Sequence, residues 1–125
     1  MVQSNDAGHR DRSQKLAVRF YRSSTGGEPV RDWLRELPRV DRRAIGEDIK
    51  VVQLGWPLGM PWVRKLEPDL WEVRSVIADG IARVVFTVVD GTMVLLHGFV
   101  KKAQAAPRRD LAVARRRRAR LLREG

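Results

Sequence analysis

The sequence contains no cysteine, which excludes disulfides, thiolate nucleophiles and cysteine-based zinc sites and suits a reducing compartment. Histidine is scarce: only His9 and His97 occur, and no His/Asp/Glu grouping has metal-ligand spacing. Neither a metal nor another cofactor is therefore expected. Tyrosine occurs once, at Tyr21. Apolar runs are short; none approaches the ~20 residues of a membrane-spanning helix, and the first residues lack the apolar core of a secretory leader. These absences lead us to expect a soluble, cytoplasmic protein without membrane contact.

Acidic residues are the minority, 15 against 25 lysines and arginines, which gives a net charge of +10 and a pI near 11.3. The excess is unevenly placed. From Pro107 onward eight arginines meet only Asp110 and Glu124, so the last segment carries +6 of the total. Such a surface draws polyanions, nucleic acid foremost. The competing reading is a solvated arginine-rich helix.

A chain of 125 residues suits one domain, and 43% apolar residues with four tryptophans can fill one core. The stretch Met1 to Gln14 is too polar to join it, so residues 1–14 are expected as a flexible tail and 15–125 as a single domain.

Hydrophobic periodicity divides that domain. Lys15 to Tyr21 alternates and reads as a first strand. Pro29 suits a helix start, Val30, Trp33, Leu34 and Leu37 recur at helical spacing, and Pro38 stops the helix. A second helix is expected after Asp41 as N-cap, burying Ile45, Ile49 and Val52 and ending at Gly55. From Trp62 the period becomes two: "WVRKLE", "LWEVRSVI", "IARVVFTVV" and "TMVLLHGFV" predict an antiparallel meander. Pro107 to Glu124 is helical again, with a thin apolar stripe of Leu111, Ala114, Leu121 and Leu122. The fold class is α+β, in the order β, α, α, four strands, α.

Turn geometry predicts which side chains meet. A two-residue turn at Asp90-Gly91 sets Val89 opposite Thr92 and Arg83 opposite Gly98. A similar turn at Asp79-Gly80 sets Ala78 opposite Ile81 and puts Glu72, Arg74 and Val76 on the face of Arg83, Val85 and Thr87. The other face collects Trp71, Val73, Ile77, Val84, Phe86, Val88, Met93, Leu95 and Phe99, and is expected beneath the helical hairpin. Charge at mid-strand needs a reason, because burying an unpaired guanidinium costs several kcal/mol. One reason is a Glu72–Arg74 or Glu72–Arg83 ion pair on a solvated face. The other is an electropositive hollow floored by Gly98, where Arg74 and Arg83 grip a phosphate with Lys101 and Lys102 at the rim. His97 is a natural acid–base group. Strict alternation turns it toward Val84 on the apolar face, where a satisfied core histidine is the competing reading, unless a bulge near Gly98 re-aims it. Phe99 reads first as packing and second as a base-stacking platform.

Taken in order, "LWEVR", "GIARVVFTV" and "LLHGFVKKAQAAPRRDLAVARRR" resemble the RelE/HigB superfamily of type II toxin–antitoxin toxins, in particular its phage-derived HigB-like branch. The likeness runs from about Lys15 to Arg123. It implies two N-terminal helices packed on a twisted antiparallel sheet with a C-terminal helix. It also implies an mRNA interferase that cuts mRNA on the ribosome, restrained by a cognate antitoxin of helix-turn-helix, HigA-like type. Carried over residue by residue, Arg83 would clamp the scissile phosphate, Arg74 would support it, and Lys101 and Lys102 would supply charge or a leaving-group proton. Lys65, with Arg64 beside it, is a candidate for the RNA backbone, and Lys65 could act as a base only if neighbouring cations lower its pKa. The run Arg115 to Arg118, with Arg115 and Arg116 first, would touch ribosomal RNA. The pattern departs where several relatives place a tyrosine or acid near the C-terminus, since residues 103–106 offer none. The same resemblance leaves open a non-catalytic toxin like the ParE branch, which poisons DNA gyrase, or a basic nucleic-acid-binding module.

Overall fold

The computed structural model describes residues 15–101 and 108–124. The expected tail, Lys102 and the helix start at Pro107 lie outside them. The elements in order are β1 (Ala17–Phe20), α1 (Pro29–Glu36), α2 (Arg39–Gly55), β2 (Val63–Glu67), β3 (Leu70–Ile77), β4 (Gly80–Val89), β5 (Thr92–Lys101) and α3 (Arg108–Glu124). Among the described residues, three helices and one five-stranded sheet, ordered β1-β5-β4-β3-β2, make an α+β domain.

The expectation of an all-antiparallel sheet is corrected. Strands β2 to β5 form the antiparallel meander, but β1 joins β5 in parallel, with Ala17 opposite Thr92 and Phe20 opposite Leu95. Alternation marks a strand but not its direction. Because two helices separate β1 from the meander, no tight turn fixes how it pairs.

Helix α1 begins at Pro29 and ends before Pro38, and it buries Val30. Helix α2 starts at Arg39, two residues before the expected N-cap. Asp41 lies in its first turn, buried, where the helix dipole favours a carboxylate. Both helices cover one sheet face, where Ile45, Ile49 and Val52 meet Val73, Val84, Phe86 and Leu95. The Trp56 ring sets its edge toward Trp71 and Phe86, at centroid distances of 5.0 and 5.5 Å. Helix α3 covers part of the opposite face, where Ala114, Leu111 and Leu121 pack with Tyr21, Leu70, Val85, Val94 and Leu96. Leu122, counted in the apolar stripe, is exposed.

Two turns and two register shifts decide which residues share the α3 face, one of the shifts lying between Lys65 and Glu67 on β2 and turning Glu67 to the face of Leu70. Asp90 and Gly91 adopt φ of 49° and 74°, the left-handed pair of a hairpin turn, and Val89 lies opposite Thr92 as expected. The β3–β4 turn is Ala78-Asp79 rather than Asp79-Gly80, so Ile77 faces Gly80 and Val76 faces Ile81. Moving that register by two residues preserves parity, and Arg74 comes to lie directly opposite Arg83. Between β4 and β5 the register shifts at Leu96: Phe86 faces Leu95, whereas Val85 faces His97. This bulge flips everything beyond it.

Three expectations change as a result. Arg83 lies opposite Phe99, not Gly98. Gly98 turns to the helical face, where a Cβ would overlap the Trp33 ring, so its missing side chain seats a tryptophan rather than floors a phosphate hollow. His97 and Phe99 move from the apolar face to the α3 face, their rings stacked 5.6 Å apart.

Candidate nucleic-acid interface

The cross-strand register lays the polar residues of the α3 face in rows. The first row runs Arg64, Glu72, Val85, His97; the second Arg74, Arg83, Phe99; the third Val76, Ile81, Lys101. Lys65 pairs with Trp71 and so belongs to the opposite face, away from Arg74 and Arg83, while Arg64 beside it is exposed on the shared face. Lys101 closes β5 half-buried.

At the centre is a cluster of three charges. Arg83 Nη1 donates to Glu72 Oε2 at 2.7 Å, and Arg74 Nη1 stands 3.7 Å from the same oxygen. Glu72 is fully buried and Arg83 is 6% exposed, whereas the Arg74 side chain keeps 20% of its surface. Guanidinium groups on directly paired residues repel, and one carboxylate between them offsets only one charge. The trio retains a net +1. Its bonding is also incomplete: Glu72 Oε1 and Arg83 Nε are buried without hydrogen-bond partners among the described residues. Buried polar atoms are nearly always paired, so a half-satisfied ionic cluster is a poor device for stability alone.

Residues 32–119 match the family model described as phage derived protein Gp49-like. The chain belongs to that Gp49-like family. It is a toxin-like family related to the RelE and HigB type. No curated protein matches the chain.

The matched span of this Gp49-like chain extends from α1 into α3 and contains all three rows. Where the rows meet α3, His97 is held at both ring nitrogens. Nε2 lies 2.7 Å from Asp110 Oδ1, and Arg117 Nη1 stands 3.4 Å from Nδ1. A ring with its proton on Nε2 donates to Asp110 and leaves Nδ1 as acceptor. Asp110 lies in the first turn of α3, where the helix dipole favours a carboxylate; its partnership with His97 follows from the bulge.

The arginine run of α3 is mostly engaged with the sheet. Arg115 binds Glu67 through Nε and Nη2, Arg117 Nη1 donates to the Leu96 carbonyl at 2.8 Å, and Arg118 reaches Asp69 at 3.4 Å. Arg120 donates to the Tyr21 hydroxyl and the Arg22 carbonyl. Arg116 is exposed, with no side-chain partner among the described residues. Sequence reading missed Glu67 and Asp69 as anchors, although Glu67 ends β2, Asp69 sits in the β2–β3 turn, and the two meet arginines three residues apart on α3.

Burial pushes the Arg117 guanidinium down from its ordinary value. The hydrogen bond from Arg115 holds the Glu67 carboxyl below its ordinary 4.5, and Arg115 is raised in turn. A depressed carboxylate contributes stability above 4.5 that is lost as pH falls through the lowered folded value. The urea midpoints of wild type and Glu67→Gln are therefore expected to converge on acidification below 4.5. A constant separation into acid would count against the Arg115–Glu67 pair as an anchor of α3.

Among the described residues, no three His, Cys, Asp or Glu side chains gather as a metal site, and no helix is long and apolar enough to cross a membrane.

Proposed function

We propose that this Gp49-like protein is the toxin of a type II toxin–antitoxin pair, an mRNA interferase that cuts mRNA on the ribosome and arrests translation, restrained by a helix-turn-helix, HigA-like antitoxin. The observation that carries this reading is the incompletely bonded Glu72–Arg74–Arg83 cluster, of net positive charge, on the sheet face that also bears His97, Phe99, Arg64 and Lys101. The helical hairpin on one face and α3 on the other support a RelE-like arrangement.

In this reading Arg74, the more exposed guanidinium, meets the scissile phosphate first. Arg83 stands behind it and adds charge as Glu72 is shared between them. The ribose 2′-oxygen attacks the adjacent phosphorus, forming the 2′-O–P bond as the P–O5′ bond breaks. The products are a 2′,3′-cyclic phosphate and a 5′-hydroxyl. His97 Nδ1 takes the 2′ proton once a phosphate draws Arg117 aside, with Asp110 fixing the tautomer. Lys101 donates a proton to the departing O5′, and Lys102, next in the sequence, adds positive charge. Arg64 and Arg116 follow the RNA backbone, and Phe99 offers its ring to a base.

A ParE-like poison of DNA gyrase is the second reading, favoured by the tie of Arg83 to Glu72. Induced expression in growing cells separates the two. Incorporation of labelled methionine is expected to stop before incorporation of labelled thymidine; thymidine stopping first would assign the chain to the gyrase-directed class.

A further inference from the structure

Strand β2 leaves part of its neighbour uncovered. The β2–β3 ladder ends where Val63 faces Val73, extended by one bond from the Arg74 N–H to the Trp62 carbonyl at 3.0 Å. Backbone groups of successive residues point to opposite sides of a strand, so the N–H and C=O of Val76 point the same way as those of Arg74. The chain that would pair with them has turned away through Gly59 to Pro61, and among the described residues no backbone group meets Val76 on that side. Here the sheet has an open edge.

That edge is apolar. Val76 is 82% exposed, Met60 61% and Trp62 41%, beside a groove of about 510 Å³ that Ile81 also lines. Open edges of this kind are sites for pairing with another chain. The rim toward α2 is acidic, formed by Glu47 and Asp48; Glu47 meets Arg43 at 3.5 Å, and Asp48 has no ion-pair partner among the described residues. Arg74 lines the same groove and can draw a phosphate there, but acid at the α2 rim repels RNA phosphates from the Val76 end, and a net charge of +10 disfavours a second copy of the same chain. An extended peptide with alternate apolar residues and a basic side chain fits both the edge and the rim.

We propose that the β3 edge at Val76 accepts such a strand from a partner protein, continuing the sheet where β2 stops. Val76 N–H and C=O hydrogen-bond the incoming backbone, its apolar residues cover Val76, Met60 and Trp62, and its cation faces Glu47 and Asp48. The partner's identity rests on the toxin reading: it is the cognate antitoxin of that pair. Neutralisation then occurs at the sheet edge next to Arg74.

The test measures amide hydrogen exchange and affinity with that antitoxin. Slowed exchange at Val76 is expected in the complex. Val76→Pro, which deletes a donor outside the β3–β4 ladder, and Glu47→Lys, which leaves the edge intact, are each expected to weaken binding about tenfold. Tight binding with Val76 unprotected and both variants unaffected overturns the proposal and leaves the toxin reading standing. Absence of any binding by wild type overturns both. Protection of Val76 by an RNA oligonucleotide, or by self-association of the free protein, assigns the edge to another occupant and also overturns it.

Discussion

Replacing Glu72 by alanine is expected to lower the unfolding free energy by about 3–5 kcal/mol. The size follows from burial, not from the ion pair as such. Glu72 has no exposed surface and Arg83 keeps 6%, so among the described residues the carboxylate is the only negative charge paired with a guanidinium that water hardly reaches. Without it, Arg83 is left buried and directly opposite Arg74. The pair itself contributes little net stability, because both members were taken out of water to form it. Glu72→Leu combined with Arg83→Met is therefore expected to recover most of the loss. Urea unfolding at a constant slope checks this. A Glu72→Ala loss below about 1 kcal/mol, the range of a solvated ion pair, would contradict the buried arrangement.

Arg74→Ala is expected to behave in the opposite way, reducing cleavage about 10²–10³-fold while changing stability by less than about 1 kcal/mol. Its guanidinium is 3.7 Å from Glu72 and keeps a fifth of its side-chain surface, so little is lost from the folded state when it goes. What goes is the cation best placed to meet a phosphate from solvent. Arg74→Lys keeps the charge but not the planar fork, and an intermediate rate is expected. Arg83→Ala removes charge and fold support together, so a rate loss there would not separate chemistry from unfolding. That is why Arg74, second in the sequence reading, becomes the more informative substitution.

Much of this architecture is legible in the sequence because it depends on local period and turn chemistry. Asp90-Gly91 fixed one hairpin, Pro29 and Pro38 bracketed α1, and "LWEVRSVI" coincides with β3. Arg74 and Arg83 share a face even though the β3–β4 turn was misplaced, since an error of two residues leaves parity intact. The bulge at Leu96 is different. A bulge near Gly98 was the alternative that would re-aim His97, but "VLLHGF" does not decide between an extra residue and a continuous strand, and one residue of slip moved His97, Gly98 and Phe99 to the opposite faces. The parallel docking of β1 and the capture of Arg115 and Arg118 by Glu67 and Asp69 are contacts between distant segments. No local pattern encodes them.

The central claim is that the charged sheet face holds a phosphodiester of RNA while its 2′-hydroxyl attacks. Mapping mRNA 5′ ends in a reconstituted translation reaction, with wild type and Arg74→Ala compared at equal folded concentration, tests it most directly. New 5′-hydroxyl ends from the wild type, reduced about a hundredfold or more by the substitution, are the predicted result. Equal cutting by both proteins, or no new ends from either while translation stalls, would contradict it.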